Sequence, residues 1–413
     1  MSEIAHIPQL RFPEFSGEWE EKRLGDIADF SKGKGISKSD IDNDGQLECI
    51  RYGELYTTYN ELIKDVHSKT NIAKEDVKLS QIGDVIIPAS GETAIDIATA
   101  SCVLKDGVAI GGDLNIIRSD IDGVFNAYYL NNKNKYSVAR LSQGSSVIHL
   151  YAKHLETLKL NLPTKPEQTK IAAFLTEVDT KIEQLSKKQE LLGEYKKGLM
   201  QQIFSQVIRF KADDGSDFPD WEEKKLGGIG HTFNGLTGKT KDDFGRGKPY
   251  IQYMQIFESS KINIDNFGLV DVRDDENQKV AQYGDVFFTT SSETPDAVGY
   301  SSVLLDDIDK LYLNSFCFGF RPNSLDELSP NFAQFLLRSA NFRRRVVRLA
   351  QGSTRYNMSK VQLMKEVISL PCLKEQTKIA NFLSSIDSKI EQVSKQLDES
   401  KQFKKALLQQ MFV

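Results

Sequence analysis

No apolar run in this chain approaches the ~18–20 residues needed to cross a bilayer. The opening stretch, MSEIAHIPQLRFPEF, lacks a basic segment followed by an apolar one, so no signal peptide is expected. The four cysteines (Cys49, Cys102, Cys317, Cys372) are far apart and form no CxxC pair, which excludes a disulfide framework or a zinc site and fits a reducing cytoplasm. A basic excess is also missing, because the net charge is −5. Any nucleic-acid binding must therefore come from local patches.

Catalytic signatures are absent as well. FNGLTGKT (233–240) has Phe233 where a Walker A loop requires glycine, and FSKGKGIS (30–37) is no closer. A glycine- and lysine-bearing loop of this kind suits either a phosphate contact or a solvated turn. Pro371-Cys372 has the form of a methyltransferase nucleophile dipeptide, but the parallel position holds Pro163-Thr164. No Pro-Pro pair occurs, which excludes an NPPY or DPPY loop. Pro219-Asp220 lacks the separation of a PD-(D/E)xK nuclease site. The five histidines show no HExxH; His149 and His154 read as surface groups. No active site is expected, and no cofactor on this chain.

What is present is a duplication. EQTKIAAFLTEVDTKIEQLSKK (167–188) returns as EQTKIANFLSSIDSKIEQVSKQ (375–396), identical at 15 of 22 positions. The repeat extends through WEEKRLGDI and WEEKKLGGI, ECIRYGELY and PYIQYMQIF, GDVIIPASGET and GDVFFTTSSET, LSQGSS and LAQGST. A period near 200 is too long for a solenoid. The 413 residues, enough for two or three domains, thus read as two copies of one globular unit, each followed by a long helix. The globular parts mix strand-like runs such as GDVFFTT with helical ones such as NFAQFLLRSANFRRRVVRLA, an α+β pattern.

The expected boundaries are a domain over 1–163, a helix over 164–206, a linker over 207–220, a second domain over 221–371 and a second helix over 372–413. Both helices keep a coiled-coil spacing, Ile171, Leu175, Val178, Ile182 and Leu185 in one, Ile379, Leu383, Ile386, Ile390 and Val393 in the other. Forty residues of helix measure roughly 60 Å. The second domain follows the first helix and precedes the second. Parallel pairing would make that domain bridge the full length; antiparallel pairing needs no bridge and makes the halves pseudo-two-fold symmetric. The competing reading is that each helix packs on its own domain. Gly193 and Gly198 interrupt the first helix, either to admit a close neighbour or as tolerated costs.

Charge is informative locally. Arg338, Arg343, Arg344, Arg345, Arg348, Arg355 and Lys360 fall in a stretch without Asp or Glu. The matching stretch carries Lys133, Lys135, Arg140 and Lys153, also without acids. Such density attracts phosphates, or marks a solvated helix face. Gln143 and Gln351 follow in QGS at the same place. Lys32, Lys34 and Lys38 in one copy, and Lys239 and Lys241 in the other, are further candidate contacts. Scaffold positions repeat while candidate reading positions differ: Arg51-Tyr52 becomes Gln252-Tyr253, Gly53 becomes Met254 and Glu54 becomes Gln255. Arg suits guanine and Gln suits adenine in a major groove.

In combination, FPEFSGEWEEKRLGDI and DFPDWEEKKLGGI, the QGS…LP segments and the helix openings LPTKPEQTKIAAFL and LPCLKEQTKIANFL resemble the specificity subunit of type I restriction–modification systems over essentially the full chain. The resemblance implies two target-recognition domains, each reading half of a bipartite double-stranded DNA site. It implies helices that act as a spacer and dock two methyltransferase subunits carrying S-adenosylmethionine, with ATP used by a separate motor–nuclease subunit. A non-catalytic coiled-coil adaptor without DNA specificity is the alternative.

Overall fold

The computed structural model describes residues 6–144 and 147–413; Ser145 and Ser146, which end LSQGSS, lie outside it, as do the first five residues. Contacts group the chain into two compact units, Met1–Ser186 with Lys395–Val413, and Lys187–Ser394. Each unit therefore holds one globular part and a portion of both long helices.

In the first unit a five-stranded sheet runs in the order Ala28–Lys32, Leu114–Ser119, Val85–Pro88, Ser101–Val103, Leu62–Ile63. Val85–Pro88 reads Val-Ile-Ile-Pro and is buried along its length, as a β-branched strand covered on both faces should be. A four-stranded sheet (Ser68–Thr70, Leu47–Ile50, Ala109–Ile110, Lys78–Leu79) packs beside it. The second unit repeats the larger sheet as Gly230–Asn234, Cys317–Pro322, Val286–Thr289, Ser301–Val303, and a three-stranded sheet centred on Phe244–Ile251 takes the smaller one's place. The aspartate of each Gly-Asp-Val is a scaffold group: Asp84 takes a fork from Arg118 at 2.7 and 2.7 Å, and Asp285 one from Arg321 at 2.7 and 2.6 Å.

The long helices are Lys165–Phe204, with Pro166 in the first turn, and Leu373–Gln410. Gln206 adopts φ 60° and ends the first. Gln206 N–H then bonds the Ile203 carbonyl and Val207 N–H the Gln202 carbonyl, satisfying carbonyls the helix leaves open. Neither Gly193 nor Gly198 meets a neighbour where a Cβ would stand, so both are tolerated costs.

The helix portions pair antiparallel within each unit. In the first, Ile171 and Leu175 share a core with Leu407, Met411 and Phe412, and Asp179 binds Lys404 at 2.8 Å. In the second, Ile203 and Phe204 share a core with Ile379, Leu383 and Ile386, and Lys196 binds Asp387 at 2.5 Å. The two ion pairs occupy equivalent repeat positions. The coiled-coil reading of these residues needs one correction: the seam is not separate from the domains. Ile171, Leu175, Ile379, Leu383 and Ile386 lie inside domain cores, with Val178 and Ile390 packed at their edges; Leu185 and Val393 are buried farther along, and Ile182 is half-buried. Both competing readings of the helices hold together, since pairing and domain packing use the same residues.

The repeated Glu-Gln at each helix start explains itself at this level. Glu167, buried, accepts a fork from Arg11 (2.7 and 2.8 Å) and the Trp19 indole N–H (3.4 Å). Glu375 does the same for Arg209 (3.3 and 2.8 Å) and Trp221 (3.2 Å). Gln168 donates to the Pro163 carbonyl and accepts from Asp122 N–H; Gln376 donates to Pro371 and accepts from Ser329 N–H. Phe12 packs edge-on against Phe174, and Phe210 against Phe382. An Arg-Phe dipeptide ahead of each domain thus clasps the helix behind it.

Candidate nucleic-acid interface

The strand Leu47–Ile50 is held in its sheet and delivers Arg51 and Tyr52 at its end. The neighbouring loop, Gly-Lys-Gly-Ile, passes close by. Lys34 N–H bonds the Ile110 carbonyl, Gly111 N–H bonds Ile50, and Gly112 N–H bonds Gly35. A Cβ on Gly33 would stand 2.0 Å from the Gly111 oxygen, so glycine is required there by close packing. Lys32, Lys34 and Lys38 remain exposed along this loop.

The described Gln-Gly of the Gln-Gly-Ser motif is held by close backbone contacts. Gln143 and His149 exchange backbone hydrogen bonds at 2.9 and 2.7 Å, and Gly144 at φ +128° approaches the Val147 oxygen so closely that a Cβ would come within 2.1 Å of it. Gly352 repeats this at φ +133° against Arg355. Ile148–His149 pairs with Ser90–Gly91, whose Ser90 carbonyl accepts from Tyr56. Tyr56 in turn packs against Tyr52, ring centres 6.2 Å apart. Gln143, Tyr52 and the lysine loop are thereby joined into one region of the first unit. Lys133 and Arg140 are exposed; Lys135 is half-buried and reaches Thr99 Oγ1 at 3.5 Å.

In the second unit Gln252 caps the helix Tyr253–Glu258, and Tyr253 donates to the Ser291 carbonyl at 2.7 Å, so a different tyrosine fills the role of Tyr56. Ser291–Ser292 pairs with Tyr356–Met358, and that strand pairs with Ala350–Gln351. Gln351 and Arg355 are exposed beside this small sheet, as is Lys241 on its own loop.

Several candidates have partners inside the protein. Glu54 and Gln255 are buried. Glu54 accepts the Arg51 backbone N–H at 2.7 Å and the Ser68 hydroxyl; Gln255 donates to the carbonyls of Asn263 and Asn266. Arg51 itself lies 3.8 Å from Glu54. Lys239 is 7% exposed and holds Glu276 at 2.7 Å. That hydrogen bond, with others from Gln278 and the Arg273 backbone, depresses the Glu276 carboxyl to about 2. Lys239 is therefore already paired within its own domain.

The arginine-rich stretch divides in two. Arg338 donates to the carbonyls of Ser301, Ile256, Phe257 and Ser259. Arg343 donates to those of Gly299, Asp296 and Val298, and Arg345 to that of Val367. Only Arg344, Arg348 and Arg355 of the run are exposed, and Arg344 is hydrogen-bonded to Asn341. Three guanidiniums of this acid-free stretch are thus paired with backbone carbonyls.

No group of three or more His, Cys, Asp or Glu side chains among the described residues is arranged to hold a metal. Burial pushes the Cys49 thiol up to about 11 and those of Cys102 and Cys317 to about 12, which disfavours thiolate chemistry. No described helix is long and apolar enough to cross a membrane.

Comparison with known proteins bears on this geometry. The family model described as the type I restriction modification DNA specificity domain matches twice, over residues 16–192 and 219–400. The type I restriction enzyme MjaVIII specificity subunit of Methanocaldococcus jannaschii is 27% identical, over 97% of this chain and 92% of that protein. The crystal structure of a type I restriction–modification S subunit from M. genitalium superposes with a TM-score of 0.61 at 16% identity, covering 98% and 99% of the two chains. A chain from a study of complex assembly in a type I R-M system gives 0.52 at 19% identity, covering 94% and 96%. With its duplicated scaffold, its two families of exposed basic and amide groups, and this match across both copies, the chain belongs to the type I restriction–modification specificity subunits, non-catalytic proteins that carry the DNA specificity domain.

Proposed function

We propose that each globular part reads one half of a bipartite double-stranded DNA target. The observation that carries this reading is a shared scaffold with different groups at its rim. Equivalent strands deliver Arg51-Tyr52 in one unit and Gln252-Tyr253 in the other, each near a Gln-Gly pair. In the first domain the contacting set is Lys32, Lys34, Lys38, Arg51, Tyr52, Lys133, Arg140 and Gln143. In the second it is Lys241, Gln252, Arg344, Arg348, Gln351 and Arg355. Phosphate contacts by the cations position the domain, while Arg51, Gln252, Gln143 and Gln351 meet base edges.

The outward faces of the long helices dock two methyltransferase subunits, which bring S-adenosylmethionine; a motor–nuclease subunit joins with ATP. Support comes from Tyr195 and Phe403, aromatic groups at equivalent positions of the two repeats and 56% and 53% exposed. Aromatic anchors of this kind dominate interface energetics. The reducing cytoplasm suits the four free thiols.

The test uses the chain assembled with its methyltransferase partner. Binding to a randomised bipartite library at two salt concentrations should give a two-part preference with a steep salt slope. Arg51→Ala should relax one half and Gln252→Ala the other. A preference unchanged in both variants would remove these residues as readers. A flat response of the unaltered complex would remove DNA reading altogether.

A further inference from the structure

Tyr300 sits in the second unit between two arginines. The Arg343 guanidinium lies 4.3 Å from its ring centre and that of Arg338 lies 5.0 Å away, while Phe257 meets the ring edge-on at 5.0 Å. Each cation also has its donors fixed. Arg338 takes the carbonyls of Ile256, Phe257 and Ser259, which the short helix Tyr253–Glu258 leaves open at its C-terminus. Arg343 takes the carbonyls of Asp296, Val298 and Gly299, around the turn Pro295–Ala297.

Both held segments lead to the candidate reading surface. The helix begins at Gln252 and Tyr253. The turn follows Ser291–Ser292, which accepts from Tyr253 and pairs with the strand beside Gln351. Guanidinium–aromatic contacts strengthen when desolvated, and Arg forms such forks where Lys cannot. Among the described residues the first unit carries no equivalent node. There Asn131 exchanges hydrogen bonds with Ala100, and Lys135 reaches Thr99.

Resting on the reading that the second domain recognises DNA, we propose that Arg338, Tyr300 and Arg343 are positioning residues for that recognition, a stacked clamp that sets the angle between the Gln252 helix and the Ser291 strand. They touch no DNA. They act by fixing where Gln252 and Gln351 can reach, so base preference in the second half-site depends on them and preference in the first does not.

The experiment compares the unaltered chain with Arg343→Met, Arg343→Lys and Tyr300→Leu, each assembled with the methyltransferase partner, on the randomised bipartite library. Arg343→Met should lower discrimination about tenfold, within the range of one well-placed base contact, in the half that Gln252→Ala alters, and leave the other half unchanged. Arg343→Lys keeps the charge but reaches fewer carbonyls and should fall between. Tyr300→Leu keeps the carbonyl bonds, removes the stack and gives a folded test if Arg343→Met fails to fold. Full discrimination in folded Arg343→Lys and Tyr300→Leu chains would overturn the positioning role, as would equal losses in both halves. A library without any bipartite preference for the unaltered chain would overturn the recognition reading itself.

Discussion

At the scale of single residues, the decisive groups are buried ions with fixed partners. Glu167 and Glu375 are fully enclosed, and each holds an arginine and a tryptophan from the segment ahead of its domain. Removing the Glu375 carboxylate takes the buried acceptor from both the guanidinium and the indole N–H, leaving Arg209 with Asp220 and the carbonyls of Phe218 and Pro219. Glu375→Ala should destabilise by about 3 kcal/mol, in the range for breaking a buried pair, measured by denaturant unfolding; a change below half that would show the clasp to be incidental. Glu276 gives a pH test. Its carboxyl is held near 2, against an ordinary 4.5, chiefly by Lys239. The unfolded chain then binds this proton more readily, so the stabilisation is complete above about pH 4.5 and is lost as pH falls toward 2. Carboxyl NMR should show Glu276 titrating near 2, and Lys239→Met should return it toward 4.5.

Residues also mark what the sequence hides. Arg338 and Arg348 look alike in a list of basic positions, yet one is wrapped in carbonyls and the other is exposed. Composition records charge but not direction, and a backbone carbonyl neutralises nothing that a charge count can register. The Arg-Phe clasp was within reach and is easily missed. Arg11 stands eight residues before Trp19, and Arg209 twelve before Trp221, so unequal loops break the alignment around a two-residue match.

Elements were more legible, because periodicity survives divergence. Both long helices and the duplication follow from a 22-residue segment and a heptad pattern. Domain packing of the same apolar stripe was not separable from pairing, since one buried face serves both. Gly193 and Gly198 yield a prediction at this scale. With open space where a Cβ would stand, Gly193→Ala and Gly198→Ala should each stabilise by about 0.5–1 kcal/mol, read as a raised melting temperature. A loss would mean that a partner occupies that space. The end of the second helix gives another. Met411 and Phe412 are 2% and 5% exposed in the core around Phe125 and Tyr129, and the Val413 carbonyl accepts from the Tyr129 hydroxyl. Deleting 411–413 should expose apolar surface in the first unit, seen as faster hydrogen exchange in Gly123–Asn131, while the second unit keeps its protection.

Over the whole molecule, only one of the two compact units is assembled from separate stretches of the chain. The second unit is one unbroken stretch, Lys187–Ser394, whereas the first closes only with Lys395–Val413. Leu10 N–H bonds the Gln410 carbonyl as Ile208 N–H bonds that of Gln202. This arrangement dictates an order in time. A ribosome adding roughly 5–20 residues per second emits the first globular part tens of seconds before the residues that cover Phe125 and Tyr129. Through that interval the earliest-made domain waits with an apolar face open, and the later-made one can finish first. A chaperone or an early-arriving partner has its opportunity there, and a ribosome stalled before Leu407 would leave Phe125 and Tyr129 uncovered.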